Sequence, residues 1–203
     1  FRSEWWYWNP TRVMKHGEIN EFPFFSFLYG DLHAHVVAMP LALLALGTAL
    51  QVALRRRTRA LWEEPPAAPW PGVLGRLGLS TDLAFSLGLG GLALGALWAA
   101  NTWDYPTYTF IFLAALAVGV WEERKRIDRP AMLRLAVRGA LVLAASYLLL
   151  GPFHARFGSA YSQIEPWRGP RTPLGDYLVI HGVFLFIVAS YLLALAFRPG
   201  ERN

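Results

Sequence analysis

The sequence predicts an all-α integral membrane protein: a polytopic bundle with about five transmembrane helices in these 203 residues. Three observations carry that prediction. Long apolar runs alternate with short polar segments, and basic residues gather at the ends of the runs. Hydrophobic residues make up 55% of the chain and charged ones only 16%, a balance that suits lipid better than a soluble core. Aromatic residues reach 15%, with nine Trp, which fits belts at two membrane–water interfaces. The net charge of +5 does not point to nucleic acid, because the basic residues flank apolar runs and form no phosphate-tracking face. Cysteine is absent, which excludes disulfides and thiolate metal sites.

Residues 1–29 read as an interfacial or re-entrant segment on the external side, and residues 30–203 as the transmembrane bundle. Trp5-Trp6-Tyr7-Trp8 suits the headgroup level, and the apolar stretch Phe22 to Tyr29 is too short and too proline-broken to cross. The first span is expected at 32–54, closed by Arg55-Arg56-Arg57. A Pro-rich linker follows at 63–72 and carries no chemistry. The second and third spans, 83–100 and 105–121, both fall short of the ~20 residues a crossing needs. They form a helical hairpin whose polar tip, Asn101 to Pro106, sits inside protein at or below the headgroups. The fourth span is expected at 133–153 and the fifth at 177–197. Gly91 and Gly95 in the second span form a Gly-x-x-x-Gly pair suited to close helix packing. With no initiator Met and no signal-peptide layout, the chain reads as an internal part of a longer polytopic protein, whose other spans can complete a site.

Basic residues orient the bundle. Of the 19 Lys and Arg, thirteen lie in the loops after the first and third spans, at the start of the fourth and in the tail. The remaining six lie on the opposite side, so the Arg-rich loops are expected in the cytoplasm and the protein in the plasma membrane. The amino-terminal segment, the 101–106 turn and the 151–176 loop are then external.

The candidate site gathers on that external side. Asp31, His33 and His35 sit at the mouth of the first span, where ionisable groups are costly and so are functional candidates. In a helix Asp31 and His35 share a face; in an extended stretch all three line one side. Either form can hold a divalent cation, and the competing reading is a helix start with Asp31 at the positive end and hydrogen-bonded histidines. Glu18 and Glu21 add two carboxylates upstream, candidates for a general base or simply a solvated loop. Asn101, Trp103 and Asp104 form the hairpin tip, where Asp104 is either a cavity carboxylate or an N-cap. Arg12, Arg156 and His154 can bind a phosphate or answer acidic loop residues. His181, one turn into the fifth span, is expected to face the bundle interior.

Two strings carry a resemblance: Ile19-Asn20-Glu21-Phe22-Pro23-Phe24-Phe25-Ser26-Phe27-Leu28-Tyr29-Gly30-Asp31-Leu32-His33-Ala34-His35-Val36, and Asn101-Thr102-Trp103-Asp104-Tyr105-Pro106-Thr107-Tyr108. Together with the Trp5–Trp8 aromatics and Arg12, they resemble the YYY-domain family of large uncharacterised bacterial and archaeal membrane proteins. That family looks related in architecture to the GT-C glycosyltransferases, polytopic enzymes that use lipid-phosphate-linked sugars and carry an essential acidic residue in an external loop. The resemblance implies a glycosyltransferase that takes sugar from a polyprenyl-phosphate donor at the external face, with Asp31, Glu18 or Glu21 as the acidic residue by placement. A metal-dependent hydrolase using Asp31, His33 and His35 is a second reading. A non-catalytic transporter or assembly subunit is a third, and membrane lipids are expected partners in every reading.

Overall fold

The structure, a computed structural model, describes residues 6, 8–12, 14, 20, 23–30, 32–61 (residue 59 without its side chain), 68–158, 166 and 168–197. Among them every regular element is helical. The chain divides into two compact units, one of residues 1–30 and 160–203, the other of residues 31–159.

The second unit holds α2 (Ala34–Leu61), α3 (Gly72–Arg76), α4 (Thr81–Ala100), α5 (Asp104–Arg124), α6 (Arg129–Leu148) and α7 (Gly151–His154). Its centre is α2, which packs on both α4 and α5. The contact face is a stripe of small residues: Ala38, Ala42, Ala45, Ala49 and Val52 are all buried. Their 4-3-4-3 spacing is the period of a left-handed helix pair, and small side chains let backbones close up where lipid provides no hydrophobic drive. A Cβ on Gly119 of α5 would sit 2.7 Å from the Val52 carbonyl oxygen, so α5 lies directly on α2 there. Pro40 sits in the second turn of α2 and the helix passes through it; within a bundle the missing N–H is tolerated.

The glycines of α4 do what their spacing suggests. A Cβ on Gly91 would meet the Val142 carbonyl oxygen at 3.0 Å, and one on Gly95 would collide with that of Ser146, so α4 and α6 touch backbone to backbone. Gly90 faces the ring of the fully buried Phe112 on α5.

Side-chain pairs fix the direction of each helix. Arg55 of α2 makes a bidentate pair with Asp82 of α4, its Nη2 lying 2.7 Å from either carboxylate oxygen. One turn back along α2 and one turn on along α4, Ser86 Oγ lies 3.2 Å from the Gln51 side-chain oxygen. The two helices are therefore antiparallel. Arg56 Nη1 donates to the Glu122 carbonyl at the end of α5 (2.8 Å), and Arg138 of α6 bonds Glu123 (2.9 Å). One end of the unit thus collects Arg55, Arg56, Arg57, Arg124, Arg134 and Arg138; we refer to it as the arginine end.

Each boundary has a local cause. The α2 helix runs past the expected end at Leu54 to Leu61, because its arginines are held by Asp82 and the last turn of α5. The α5 helix stops at Lys125, whose backbone is left-handed (φ 54°) and whose N–H reaches the Trp121 carbonyl. Asp128 caps α6 by accepting from the Ala131 N–H (2.9 Å), with Pro130 in the first turn, so α6 begins before the expected Leu133. It ends at Leu148; α7 is a separate turn, and the single expected span 133–153 is two elements.

In the other unit, Asn9–Arg12 form a 3-10 turn, and α1 (Pro23–Tyr29) and α8 (Leu174–Ala196) are helices. Among the described residues four helices are long and apolar enough to cross a membrane: α2 over Ala34–Thr58, α4, α6 and α8. The expected third span is the exception. It forms a helix, α5, but Asp104, the Tyr- and Thr-rich first turns and Glu122-Glu123-Arg124 make that helix too polar to qualify by composition. It packs against α2, α4 and α6 and runs beside them from the Asn101–Asp104 turn to the arginine end. His181 lies on α8, its ring 4.7 Å from that of Tyr177.

Candidate functional site

The candidate residues that the structure describes in the second unit lie opposite the arginine end. The antiparallel register of α2 and α4, carried along both helices, brings the start of α2 level with Asn101, and α5 starts three residues later. His33 closes the start of α2 through its carbonyl, which accepts from the N–H groups of Val36 (2.9 Å) and Val37 (3.1 Å). The His33 and His35 rings are 5.6 Å apart, centroid to centroid.

Asn101 and Asp104 are brought together. Asn101 Nδ2 donates to Asp104 Oδ2 (3.1 Å), and the Asp104 N–H donates to the Asn101 carbonyl (3.0 Å). This reciprocal pair closes the turn between α4 and α5 and aims a carboxylate at the rim. Trp103, between them, is 75% exposed.

Beside this turn lies an aromatic cluster that spacing alone does not reveal. The His154 ring stacks on Tyr147 (4.7 Å, 9° between planes) and lies 4.5 Å from Trp98. Trp98 in turn lies 4.8 Å from Tyr105. Tyr105 and Ser146 hydroxyls are 3.1 Å apart, and Ser146 gives its own proton to the Leu143 carbonyl (2.8 Å). A serine hydroxyl has one proton, so Tyr105 is the donor of that pair. His154 Nε2 is buried and has no partner among the described residues. The signal was present in pieces: Trp98 and Tyr105 bracket the Asn101–Asp104 turn, and Tyr147 is two turns before His154. Only the packing of α4, α5, α6 and α7 joins them.

The other candidates are dispersed. Arg156 is exposed just past α7. Arg12 belongs to the first unit, where its guanidinium donates to Thr11 Oγ1 (2.7 Å) and lies over the Trp8 ring (4.3 Å). Asp31, Glu18 and Glu21 lie outside the described residues. Among the described residues no group of three or more His, Cys, Asp or Glu converges as a metal cage would require; His33 and His35 supply two imidazoles. A cavity of about 640 Å³ opens at the arginine end rather than here.

Of the comparisons with known proteins, one gives a match: the family model described as an uncharacterised membrane protein, DUF2298, matches residues 1–203. No curated protein and no solved structure matches.

Proposed function

The chain belongs to DUF2298, a family of uncharacterised membrane proteins, and within it we propose a glycosyltransferase that takes sugar from a polyprenyl-phosphate donor at the outer face of the plasma membrane. The proposal extends the resemblance to the YYY-domain family and, through it, to GT-C architecture. One observation carries it. Polar and aromatic groups of the kind that handle sugars share the rim opposite the arginine end: the Asn101–Asp104 pair, the imidazoles at the start of α2 and the Trp98–Tyr147–His154 cluster. The positive-inside rule puts the arginine end in the cytoplasm and this rim outside.

In this reading a carboxylate accepts the proton of an acceptor hydroxyl as the oxygen attacks the anomeric carbon and the bond to the lipid phosphate breaks. We assign that role to Asp31, with Glu18, Glu21 and Asp104 as the alternative carboxylates. Asn101, Trp103 and His154 are assigned to the sugar: the exposed Trp103 ring offers an aromatic face that suits the apolar face of a pyranose, and His154 belongs to the aromatic cluster with Trp98 and Tyr147. Arg12 or Arg156 answers the charge of the departing phosphate. A divalent cation held by His33, His35 and Asp31 would add positive charge at the same place.

The test is turnover of radiolabelled polyprenyl-phosphate sugars by the protein in membranes, parent against Asp31→Asn. Loss of the lipid-linked sugar with the parent and none with the folded variant is expected. Equal turnover in both removes Asp31 from the mechanism. No turnover in either leaves a transport or assembly role.

A further inference from the structure

The cavity at the arginine end is not used by this chemistry, and its walls specify a ligand. Its floor is apolar, formed by Val52 of α2, Gly119 of α5 and Leu79 before α4. Its rim carries Arg55, Arg56 and Arg134, with Glu123 and Ser80.

Among the described residues the charges around it do not cancel. Arg55 is matched by Asp82. Arg134 and Arg138 share a single carboxylate, that of Glu123 (3.3 and 2.9 Å), which leaves one positive charge in excess. Arg56 adds a second: its Nη1 donates to the uncharged Glu122 carbonyl, and it makes no ion pair among the described residues. Arg134 Nε is buried without a partner.

We propose that this cavity binds a phosphate ester, with the phosphate held by Arg56 and Arg134 and the apolar part of the ester on Val52, Leu79 and Gly119. An amphiphile fits both halves of the cavity. Basic pockets between transmembrane helices bind anionic lipid headgroups in this way, and a guanidinium fork matches phosphate geometry. The same phosphate chemistry could come from a lipid headgroup or from a soluble phosphate, and the experiment separates them.

The protein is reconstituted with phosphatidylglycerol and phosphatidylcholine of identical chains, and retained lipid is counted by native mass spectrometry. Inorganic phosphate is titrated in parallel, with thermal unfolding as the readout. Arg56→Ala removes the unpaired cation; Arg56→Lys keeps its charge. Arg126→Ala serves as control, since Arg126 pairs with Asp128 at the same end and does not line the cavity.

Preferential retention of phosphatidylglycerol is expected, falling about fivefold in Arg56→Ala and staying near the parent level in Arg56→Lys and Arg126→Ala. Stabilisation by millimolar phosphate that Arg56→Ala abolishes, without lipid preference, would also support the phosphate site and assign it a soluble ligand. Neither effect in the parent protein, or equal losses in Arg126→Ala and Arg56→Ala, would overturn the proposal.

Discussion

Arg138 offers the sharpest test of how the arginine end is held together. It lies more than two turns into α6, and its side chain is 2% exposed. Nη1 and Nη2 each donate to one oxygen of Glu123 at 2.9 Å, and Nη2 also donates to the Gly78 carbonyl at 2.9 Å. Gly78 has φ +70°, and a Cβ there would run into the Arg138 guanidinium, so the turn before α4 is shaped around this cation. Glu123 is less confined: its side chain is 26% exposed, and Arg134 also pairs with it. The two partners are therefore not equivalent. Glu123→Gln leaves a buried guanidinium without its counter-charge, and loss of one member of a buried pair costs about 3–5 kcal/mol. Arg138→Met leaves a carboxylate that keeps Arg134 and some access to solvent. Its main loss is a hydrogen bond to the Gly78 carbonyl, about 1–2 kcal/mol. Equilibrium unfolding in mixed micelles should rank Glu123→Gln as the more destabilising by about 2 kcal/mol. Equal costs, or a larger cost for Arg138→Met, would refute the claim that the guanidinium is the confined partner.

Other expectations follow from the same geometry. Gly95→Leu should lower unfolding free energy by about 1–3 kcal/mol, because its Cβ would meet the Ser146 carbonyl; Gly88→Ala, with nothing within 4 Å, should be neutral or stabilising in the same assay. Lys125→Gly should stabilise by up to about 1 kcal/mol, since a left-handed residue there no longer carries a Cβ. The Arg124 guanidinium holds the Asp128 carboxyl below its ordinary value of 3.8, helped by the Ala131 N–H. A lowered folded value means that this contribution is full above the ordinary value and is lost as pH falls through the folded one. The melting temperature should therefore drop below about pH 4 in the parent, and less so in Asp128→Asn.

Hydropathy and charge made the helical membrane class legible, because crossing helices must be long and apolar and their cationic ends are biased to one side. They placed the helix ends poorly. Arg55–Arg57 read as the end of a span, yet Arg is a good helix former and Asp82 and the end of α5 hold these side chains in the continuing helix. The packing stripe of α2 was hidden, since alanines within an apolar run stand out by no contrast. Gly91 and Gly95 were readable because glycine in a helix needs a reason, and close approach to α6 supplies it. Arg138 was read as a topology signal; nothing in the local sequence marks it as buried, because its partner Glu123 is fifteen residues away on another helix. At the candidate site the Asn101–Asp104 pair is short-range, but the N-cap expected at Asp104 does not form: Trp103 stands at the N-cap without a side-chain cap, and Asp104, the first residue of α5, accepts from Asn101 instead. The His154 cluster joins four helices and was not legible.

The central claim is that the rim opposite the arginine end receives a lipid-linked sugar. A photoreactive polyprenyl-phosphate sugar, activated in membranes containing the protein and mapped by peptide mass spectrometry, tests it most directly. The account predicts adducts around the Asn101–Asp104 turn and the Tyr147 to Arg156 segment, suppressed by excess unlabelled donor. Adducts confined to the arginine-end cavity, or labelling that unlabelled donor does not suppress, would contradict it.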